Sequence, residues 1–301
     1  MCNTAVTSGK PAWLKKHLPR GGDYARVTRL LAGAGLHTVC QEANCPNMFE
    51  CFSKDTATFM ILGDQCTRHC RFCNITARPP LAVDLQEPAR VARAARDLGL
   101  QYVVVTSVTR DDLPDGGAAH FAAVIQALKK MGRETGPILR VEVLIPDFKG
   151  NMDALKTVVA AGPDVINHNI ETVAVLYPIV RQEAVYQRSL DLIANIGKLN
   201  PRIPAKSGIM VGLGETLPQL TQTMQDLYDH GCRMLTIGQY LQPTRAHLEV
   251  KKYYPPEAFD ALAQTARQIG FSKVAAGPFV RSSYQAEDLF QSPGTSLQSE
   301  S

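Results

Sequence analysis

The chain has 301 residues, of which 45% are apolar and 20% charged, and this ordinary globular composition supplies enough apolar residues for a full core. The net charge of +4 is too small to indicate a nucleic-acid partner, although it favours an acidic protein partner. No apolar run approaches the roughly 18 residues that span a bilayer, and residues 1–16 lack the apolar centre of a signal peptide, so we expect a cytoplasmic protein with no membrane partner.

Residues 1–55 are predicted to form an N-terminal extension that differs from the rest of the chain. The spacing of Val27, Leu30 and Leu31 predicts one short amphipathic helix that ends near Gly33. The remainder of the extension is expected to be a loop that carries three cysteines.

Residues 56–290 alternate between apolar, β-branched runs and stretches with helical periodicity, which indicates βαβ units and a parallel sheet. The predicted strands are 56–62, 102–106, 138–145, 164–170, 205–211 and 233–239. The predicted helices are 87–98, 117–130, 151–161, 184–198, 217–230 and 256–269. Six such units favour an α/β fold with a partial (β/α)6 TIM-type barrel, over which a C-terminal segment closes. The Ser/Gln-rich tail, 291–301, is expected to be disordered.

Three cysteines with the spacing C-x3-C-x2-C follow the first predicted strand, where the active face of a barrel lies. Thiolates from Cys66, Cys70 and Cys73 can ligate three corners of a cubane iron–sulfur cluster and leave one iron open for a substrate, whereas ligation by four cysteines suits simple electron transfer. Disulfides are not expected in a reducing compartment. Basic residues of the loop, among them Arg68, are expected to offset the negative charge of the thiolates.

The alternative for this loop is a structural zinc site. Such a site normally shows two short cysteine pairs, or one pair together with histidines. Only one short pair is present, and His69 lies inside the loop instead of at ligand spacing beyond it. The spacing therefore favours the iron–sulfur cluster.

A second set of three cysteines precedes the first strand with the spacing C-x4-C-x5-C. This spacing, formed by Cys40, Cys45 and Cys51, matches neither a zinc finger nor a bacterial ferredoxin. So compact a set beside the first one indicates a second cluster close in space. The alternative is three ordinary buried or surface thiols.

The C-x3-C-x2-C loop after the first strand of a barrel resembles the signature of the radical S-adenosylmethionine (SAM) superfamily. The resemblance implies that the open iron chelates SAM and that reductive cleavage of SAM yields a 5′-deoxyadenosyl radical. It also implies that Asp115, Gly116 and Gly117 bind the SAM amino group, although the acidic residue that often follows the glycines is absent. The segment that contains Gly212 and Glu215 resembles the strand that packs on the adenine.

Longer motifs narrow the resemblance to the lipoyl synthase family, over nearly the whole chain from Trp13 to Tyr284. Besides the two cysteine spacings, the motifs are TSV-x-RDDL-x-DGG at 106–117, NHN-x-E-T at 167–172, SG-x-M-x-GLGET at 207–216, LTIGQYLQPT at 235–244 and GP-x-VRSSY at 277–284.

This resemblance implies a radical SAM sulfurtransferase that inserts two sulfur atoms at C6 and C8 of an octanoyl group bound to a lysine of a carrier domain. Two [4Fe-4S] clusters are implied: one binds SAM through the first cysteine set, and an auxiliary one, held by the second set, donates the sulfur. The fourth ligand of the auxiliary cluster is implied to be a serine of the RSSY motif. We place it at Ser283, with Ser282 as the alternative.

The implied partners are octanoylated carrier domains of 2-oxoacid dehydrogenase complexes or the H protein of glycine cleavage, a ferredoxin or flavodoxin reductant, and an iron–sulfur carrier that renews the auxiliary cluster. Two rival interpretations remain at this point. Another sulfur-inserting radical SAM enzyme, such as a biotin synthase, would lack the N-terminal cysteine triplet. A redox carrier or cluster scaffold would show four cysteine ligands and would not need a barrel of this size.

Overall fold

The computed structural model describes residues 10–14, 23–43, 45–53, 58–136 and 139–291. Within these ranges the strands are β1 (His37–Thr38), β2 (Thr58–Ile61), β3 (Gln65–Cys66), β4 (Thr76–Ala77), β5 (Tyr102–Ser107), β6 (Arg140–Leu144), β7 (Val165–Asn167), β8 (Ala205–Val211), β9 (Cys232–Gln239) and β10 (Lys273–Gly277).

The α-helices of the same ranges are α1 (Asp23–Gly33), α2 (Val39–Glu42), α3 (Met48–Ser53), α4 (Glu87–Asp97), α5 (Ala118–Thr135), α6 (Met152–Ala160), α7 (Tyr177–Val180), α8 (Tyr186–Leu199), α9 (Leu217–Asp229), α10 (Pro256–Ile269) and α11 (Ala286–Gln291). Short 3₁₀ turns occur at Ala12–Leu14, Phe148–Gly150 and Ala174–Leu176.

The central sheet has the strand order β1-β2-β5-β6-β7-β8-β9-β10, in which β1 is antiparallel to β2 and the strands from β2 to β10 are parallel. The order in the sheet follows the order in the chain, so each parallel pair is joined by a crossover in the same direction. The barrel-type α/β fold predicted from the sequence is confirmed. Its carboxyl strand ends, where barrel enzymes carry their active sites, lie at one edge.

One buried ion pair connects two strands that are not neighbours in the sheet. Lys206 on β8 donates from Nζ to Glu142 Oε1 on β6 at 2.8 Å, and both side chains are fully buried. Strand β7 lies between these two strands, so the pair crosses it. The hydroxyl of Tyr102 on β5 donates to the other Glu142 oxygen at 2.6 Å. The barrel interior is therefore closed at this level by a satisfied polar network.

The helices cover the outer face of the sheet because their apolar residues recur at helical spacing. Five of them, α4, α5, α6, α8 and α9, contribute side chains that are at most 1% exposed, such as Val91, Val124, Val158, Ile193 and Met224. Local sequence sets the helix starts: Thr216 and Gln219 form a reciprocal capping box at α9, and the Asn151 side chain accepts hydrogen bonds from the first turn of α6. The capped helix N-termini determine where the loops that follow the strands end.

Two features differ from the sequence-based expectations, and most of the predicted disordered tail lies outside the described residues. The segment around Cys40 and Cys51 is not a loop, because these residues lie on the short helices α2 and α3, the first of which is capped by Thr38. The sheet gains β10, which pairs with β9. The last described helix, α11, ends at Gln291, so residues 292–301 of the predicted disordered tail lie outside the described residues.

In the part of the chain that the structure describes, no helix is both long and apolar enough to cross a bilayer.

Candidate functional site

The first cysteine set lies on the loop that follows β2, in and after the small β3–β4 sheet. Backbone N–H groups of Arg68 and Thr109 donate to Cys66 Sγ at 3.4 and 3.3 Å. The Cys73 N–H donates to the Cys70 carbonyl at 3.0 Å, which tightens the loop between these two residues. The three partly exposed thiols interact electrostatically with one another. The structure therefore brings the predicted SAM-cluster ligands together.

Arg68 anchors this loop. Its guanidinium donates to Asp111 at 2.7 and 3.0 Å and to Asp147 at 2.6 Å, and its side chain is 4% exposed. Asp147, which is fully buried, also accepts from Arg188 at 3.2 Å. The charge of Arg68 is thus paired with two carboxylates. These hydrogen bonds hold the loop in place, and the expectation that Arg68 also offsets the charge of the thiolates stays a prediction.

Arg181 lies close enough to Cys70 to influence the pKa of its thiol, and the sequence analysis did not identify it. Burial and the charge of Arg181 act in opposite directions on the pKa of Cys70, and burial dominates. Arg181 Nη1 donates to the backbone carbonyls of Asn169 at 2.9 Å and Ile170 at 3.3 Å, and to the hydroxyl of Tyr177 at 3.2 Å. Arg181 follows β7 by fourteen residues, so only tertiary structure places it here.

Several buried polar atoms at the carboxyl strand ends have no hydrogen-bond partner within the described part of the chain. They are Ser107 Oγ at the end of β5, both amide atoms of Asn167 at the end of β7, Asn169 Oδ1, Thr172 Oγ1 and Arg181 Nε. Buried polar groups in folded proteins are nearly always satisfied, so such a group of atoms indicates a polar ligand. A zwitterionic, hydroxyl-bearing molecule such as SAM fits this requirement.

The predicted amino-group site, Asp115-Gly116-Gly117, forms the start of α5. Gly116 and Gly117 have φ values of 61° and 91°, a region that favours glycine, and a Cβ on Gly117 would lie 2.4 Å from Leu62 Cδ1. Both Asp115 oxygens accept backbone hydrogen bonds, from Gly117 at 2.9 Å and Ala119 at 2.7 Å. The Asp115 side chain therefore caps a helix, and the binding role of the three residues stays a prediction.

Gly212 and Glu215 lie together at the end of β8. Glu215 Oε1 and Oε2 accept from the N–H groups of Gly212 at 2.6 Å and Leu213 at 2.9 Å. A Cβ on Gly212 would lie 2.2 Å from Gln239 Nε2 and 2.5 Å from the Lys252 carbonyl, so only glycine fits. Glu215 thus holds the strand end that was predicted to contact the adenine.

The second cysteine set is also brought together, on α2, α3 and the turn between them. The thiols of Cys40, Cys45 and Cys51 interact electrostatically, and the Cys45 N–H donates to the Cys40 carbonyl at 3.0 Å. One contact connects the two sets directly, because Asn74 Nδ2, next to Cys73, donates to the Glu42 carbonyl at 2.9 Å. The two triplets therefore lie at the same end of the barrel.

The C-terminal segment 279–284 reaches the second triplet from beyond β10. Asn47 Nδ2 donates to the Phe279 carbonyl at 2.7 Å, and the Tyr284 hydroxyl donates to Glu50 Oε1 on α3 at 2.7 Å. Arg281 interacts electrostatically with Cys45. The RSSY motif is therefore packed against the helices that carry these cysteines.

The two serines of the motif have different surroundings. Ser282 Oγ accepts from Asn169 Nδ2 at 2.7 Å, and so it is bound to the strand-end loop after β7. Ser283 follows it in the turn that the Tyr284 N–H closes on the Arg281 carbonyl at 3.0 Å. The hydrogen bond to Ser282 gives this serine a structural role of its own.

The donor set suits metal clusters more than it suits a single ion. In the described ranges, no group of three His, Cys, Asp or Glu side chains is arranged to hold a single metal ion. A cubane accepts thiolates that are farther apart, because each binds a different iron. Burial raises the pKa of the Cys70 thiol to about 11 and of Cys73 and Cys40 to about 12, so bound metal has to drive their deprotonation.

Comparisons with known proteins agree with this site. The profile of the radical SAM superfamily matches residues 60–227, and that of the N-terminal domain of lipoyl synthase matches residues 4–45. The lipoyl synthase of Desulfotalea psychrophila is 52% identical over 289 residues, which cover 96% of this chain and 95% of the relative. That of Caldanaerobacter subterraneus subsp. tengcongensis is 55% identical over 282 residues, or 94% and 97% of the two chains.

Solved structures show the same fold at low sequence identity. HydG, a maturase of the [FeFe]-hydrogenase, matches with a TM-score of 0.57 and 13% identity over 84% of this chain and 67% of its own. Streptococcus suis SuiB bound to S-adenosylmethionine matches with a TM-score of 0.55 and 11% identity over 74% and 51%. The barrel fold, the paired cysteine triplets and the full-length relatives lead to one conclusion: this chain belongs to the lipoyl synthase family of the radical SAM superfamily.

Proposed function

We propose that this chain carries out the lipoyl synthase reaction with its two cysteine triplets in separate roles. The reaction inserts two sulfur atoms at C6 and C8 of an octanoyl group on a carrier-domain lysine. The observation that carries the division of roles is the position of both triplets at one end of the barrel, linked by the contact from Asn74 to Glu42. A single octanoyl group at this end of the barrel would reach both cysteine triplets.

Cys66, Cys70 and Cys73 would hold the SAM-binding [4Fe-4S] cluster, which with SAM supplies the 5′-deoxyadenosyl radical when bound. Arg181 would add positive charge next to these thiolates, since it lies close enough to Cys70 to oppose the effect of burial on its pKa. Unpartnered atoms such as Asn167 Nδ2 and Oδ1 would hydrogen-bond the bound cofactor. The buried Arg68 would keep the loop fixed while the radical forms.

Cys40, Cys45, Cys51 and Ser283 would hold the auxiliary cluster, which serves as the sulfur-donating substrate. A serine oxygen is a harder ligand than a thiolate, so its bond to iron differs in strength and in its response to protons. We propose that Ser283 releases its iron and thereby exposes a sulfide to the substrate radical. The docking of segment 279–284 on α3 supports this assignment.

The proposal includes three classes of partner. The first is an octanoylated carrier domain, either of a 2-oxoacid dehydrogenase complex or of the glycine cleavage H protein. The others are a ferredoxin or flavodoxin reductant and an iron–sulfur carrier that renews the auxiliary cluster. The net charge of +4 would favour acidic partners. A cytoplasmic location stays a prediction.

The activity is tested by anaerobic reconstitution of the full chain with iron and sulfide, followed by addition of SAM, a strong reductant and an octanoyl-lysyl peptide. We expect 5′-deoxyadenosine together with a dihydrolipoyl peptide. A redox carrier or cluster scaffold would give no 5′-deoxyadenosine. A radical SAM enzyme with another substrate would give 5′-deoxyadenosine without sulfur in the peptide.

The role of Ser283 is tested by two substitutions under single-turnover conditions. Ser283→Ala should keep SAM cleavage and lose most of the sulfur insertion, because the auxiliary cluster lacks its fourth ligand. Ser283→Cys should retain the cluster and slow its dismantling, because a thiolate binds iron more firmly. Dihydrolipoyl peptide and 5′-deoxyadenosine are measured per chain. Full sulfur insertion by Ser283→Ala would rule out Ser283 as the ligand and direct the same test to Ser282.

A further inference from the structure

The turn formed by residues 281–284 is attached to the rest of the protein on both sides. At the last position of the turn, the Tyr284 hydroxyl donates to Glu50 Oε1 on α3 at 2.7 Å. At its first central position, Ser282 Oγ accepts from Asn169 Nδ2 at 2.7 Å. Ser283 is the central residue between these two attachments. Its position thus depends on a contact to the N-terminal helices and on a contact to the barrel.

The Asn169 amide has a second hydrogen-bond partner. Besides its hydrogen bond to Ser282, Asn169 Nδ2 donates to Glu171 Oε1 at 3.0 Å. The two hydrogens of the NH₂ group are therefore used by Glu171 and Ser282. Asn169 is 8% exposed, so water has little access to replace either bond.

Glu171 is itself held in place by the backbone. Its φ of +65° is unusual for a residue with a side chain, and two hydrogen bonds to β8 hold it there: from the Glu171 N–H to the Gly208 carbonyl at 2.9 Å and from the Met210 N–H to the Glu171 carbonyl at 2.8 Å. This backbone conformation is disfavoured for a residue with a side chain, and the two bonds to β8 maintain it. Asn169 thus has one rigid partner on the barrel and one partner in the C-terminal turn.

We infer that Ser282 and Asn169 are positioning residues for sulfur insertion: the amide of Asn169 holds Ser282 against the barrel, so that Ser283, the next residue, is presented to the auxiliary cluster. The inference rests on the proposed role of Ser283. It assigns different tasks to two adjacent serines, one that binds the barrel and one that binds iron. It also explains why the motif carries two hydroxyl groups in succession.

The chain offers a matched control for this inference. Ser272 lies in the same C-terminal region, and its hydroxyl donates to the Arg233 carbonyl at 3.1 Å, away from both cysteine sets. Ser272→Ala removes one serine hydrogen bond, as Ser282→Ala does. Ser282→Thr retains the hydroxyl and serves as the rescue variant.

The experiment measures amide hydrogen exchange of residues 281–284 in the anaerobically reconstituted full chain, together with iron content, 5′-deoxyadenosine and dihydrolipoyl peptide. For Ser282→Ala we expect exchange to accelerate about 2- to 10-fold, the factor that corresponds to one hydrogen bond. Both clusters should be retained, SAM cleavage should be unchanged, and sulfur inserted per 5′-deoxyadenosine should fall. Ser282→Thr should restore exchange protection, and Ser272→Ala should behave like the wild type.

Asn169→Ala should accelerate exchange to the same extent, and the double variant with Ser282→Ala should be no faster than either single one, because both remove the same bond. Wild-type exchange in Ser282→Ala would overturn the inference. Loss of the auxiliary iron in Ser282→Ala would also overturn it, because Ser282 would then be the ligand. If the wild-type chain inserts no sulfur, that result contradicts the proposed function but not the inference, because the exchange measurement does not depend on turnover.

Discussion

Arg68 lies inside a cysteine loop and binds the loop to the neighbouring strand ends. Its guanidinium is paired with two carboxylates of neighbouring strand ends, Asp111 and Asp147, and is almost inaccessible to water. Burial alone would raise the pKa of Asp147, but the hydrogen bond from Arg68 and its charge outweigh burial and lower this pKa to about 2. Asp147 is therefore ionised at neutral pH and fixes the loop through Arg68.

Replacing Arg68 by Met should lower the free energy of unfolding by about 3 kcal/mol, because Asp147 would keep a buried charge with only Arg188 as a partner. Anaerobic denaturant titration measures the loss. The control is Arg90→Met, which breaks a pair with the exposed Asp84 and should cost far less, because surface ion pairs contribute little to stability. Equal losses in the two variants would show that the Arg68 network does not support the loop.

His168 is buried and neutral. Its Nδ1 lies 2.8 Å from the Ile145 carbonyl, and its Nε2 lies 3.0 Å from the Ser189 hydroxyl, so the ring is a core residue in a motif that otherwise faces the site. Burial, followed by the positive charge of Arg181, lowers the pKa of His168 to about 4 from its usual 6.5.

This shift predicts a pH dependence of stability. A histidine whose pKa is lower in the folded state stabilises the fold fully above its unfolded pKa, and this contribution decreases as the pH falls from 6.5 toward 4. The free energy of unfolding should decrease by about 1 kcal/mol between pH 7.5 and 5.5 because of this residue. His168→Gln should show a correspondingly smaller decrease, measured by the same denaturant titrations. An identical pH dependence in both proteins would contradict a neutral buried ring.

The regular barrel elements were predictable because each has enough residues to show a period. The strand 205–211 and the helix 256–269 have the predicted bounds. Strand β10, with the sequence KVAAG, was not predicted, because it has one β-branched residue and is only partly buried. Helices α2 and α3 span four and six residues, too few for a periodic signal.

Gly238, on β9, controls the approach of the C-terminal segment to the barrel. A Cβ at this position would lie 2.1 Å from the Val280 carbonyl oxygen. Because this oxygen belongs to the backbone, it can move away only if residues 279–284 move with it. Gly238→Ala should therefore displace residues 279–284 and lower the ratio of dihydrolipoyl peptide to 5′-deoxyadenosine several-fold, while SAM cleavage continues.

Gly197→Ala is the control for this substitution. Gly197 lies on α8 with nothing within 4 Å of its Cβ position, and alanine there should leave the product ratio unchanged and stabilise the helix by about 0.5 to 1 kcal/mol. An unchanged product ratio in Gly238→Ala would show that the position of the segment does not matter for sulfur insertion.

The structure brings the segments before β2 and after β10 together at the carboxyl edge of the barrel. Asn47 contacts Phe279 across 232 positions of sequence, and Tyr284 contacts Glu50 across 234. The cysteine spacings and the RSSY motif predict which ligand types these segments supply. Contacts at such separations carry no local signal, so the neighbourhood of the motif, including its bond to Asn169, became visible only in the structure.

The separation of the two cysteine sets is the central claim, and one comparison tests it most directly. Cys45→Ala and Cys70→Ala are each reconstituted anaerobically, and 5′-deoxyadenosine and dihydrolipoyl peptide are measured per chain in a single turnover. Cys45→Ala should form 5′-deoxyadenosine without sulfur insertion, and Cys70→Ala should form neither product, because two thiolates do not hold the SAM-binding cluster. Dihydrolipoyl peptide from Cys45→Ala, or normal 5′-deoxyadenosine from Cys70→Ala, would contradict the account.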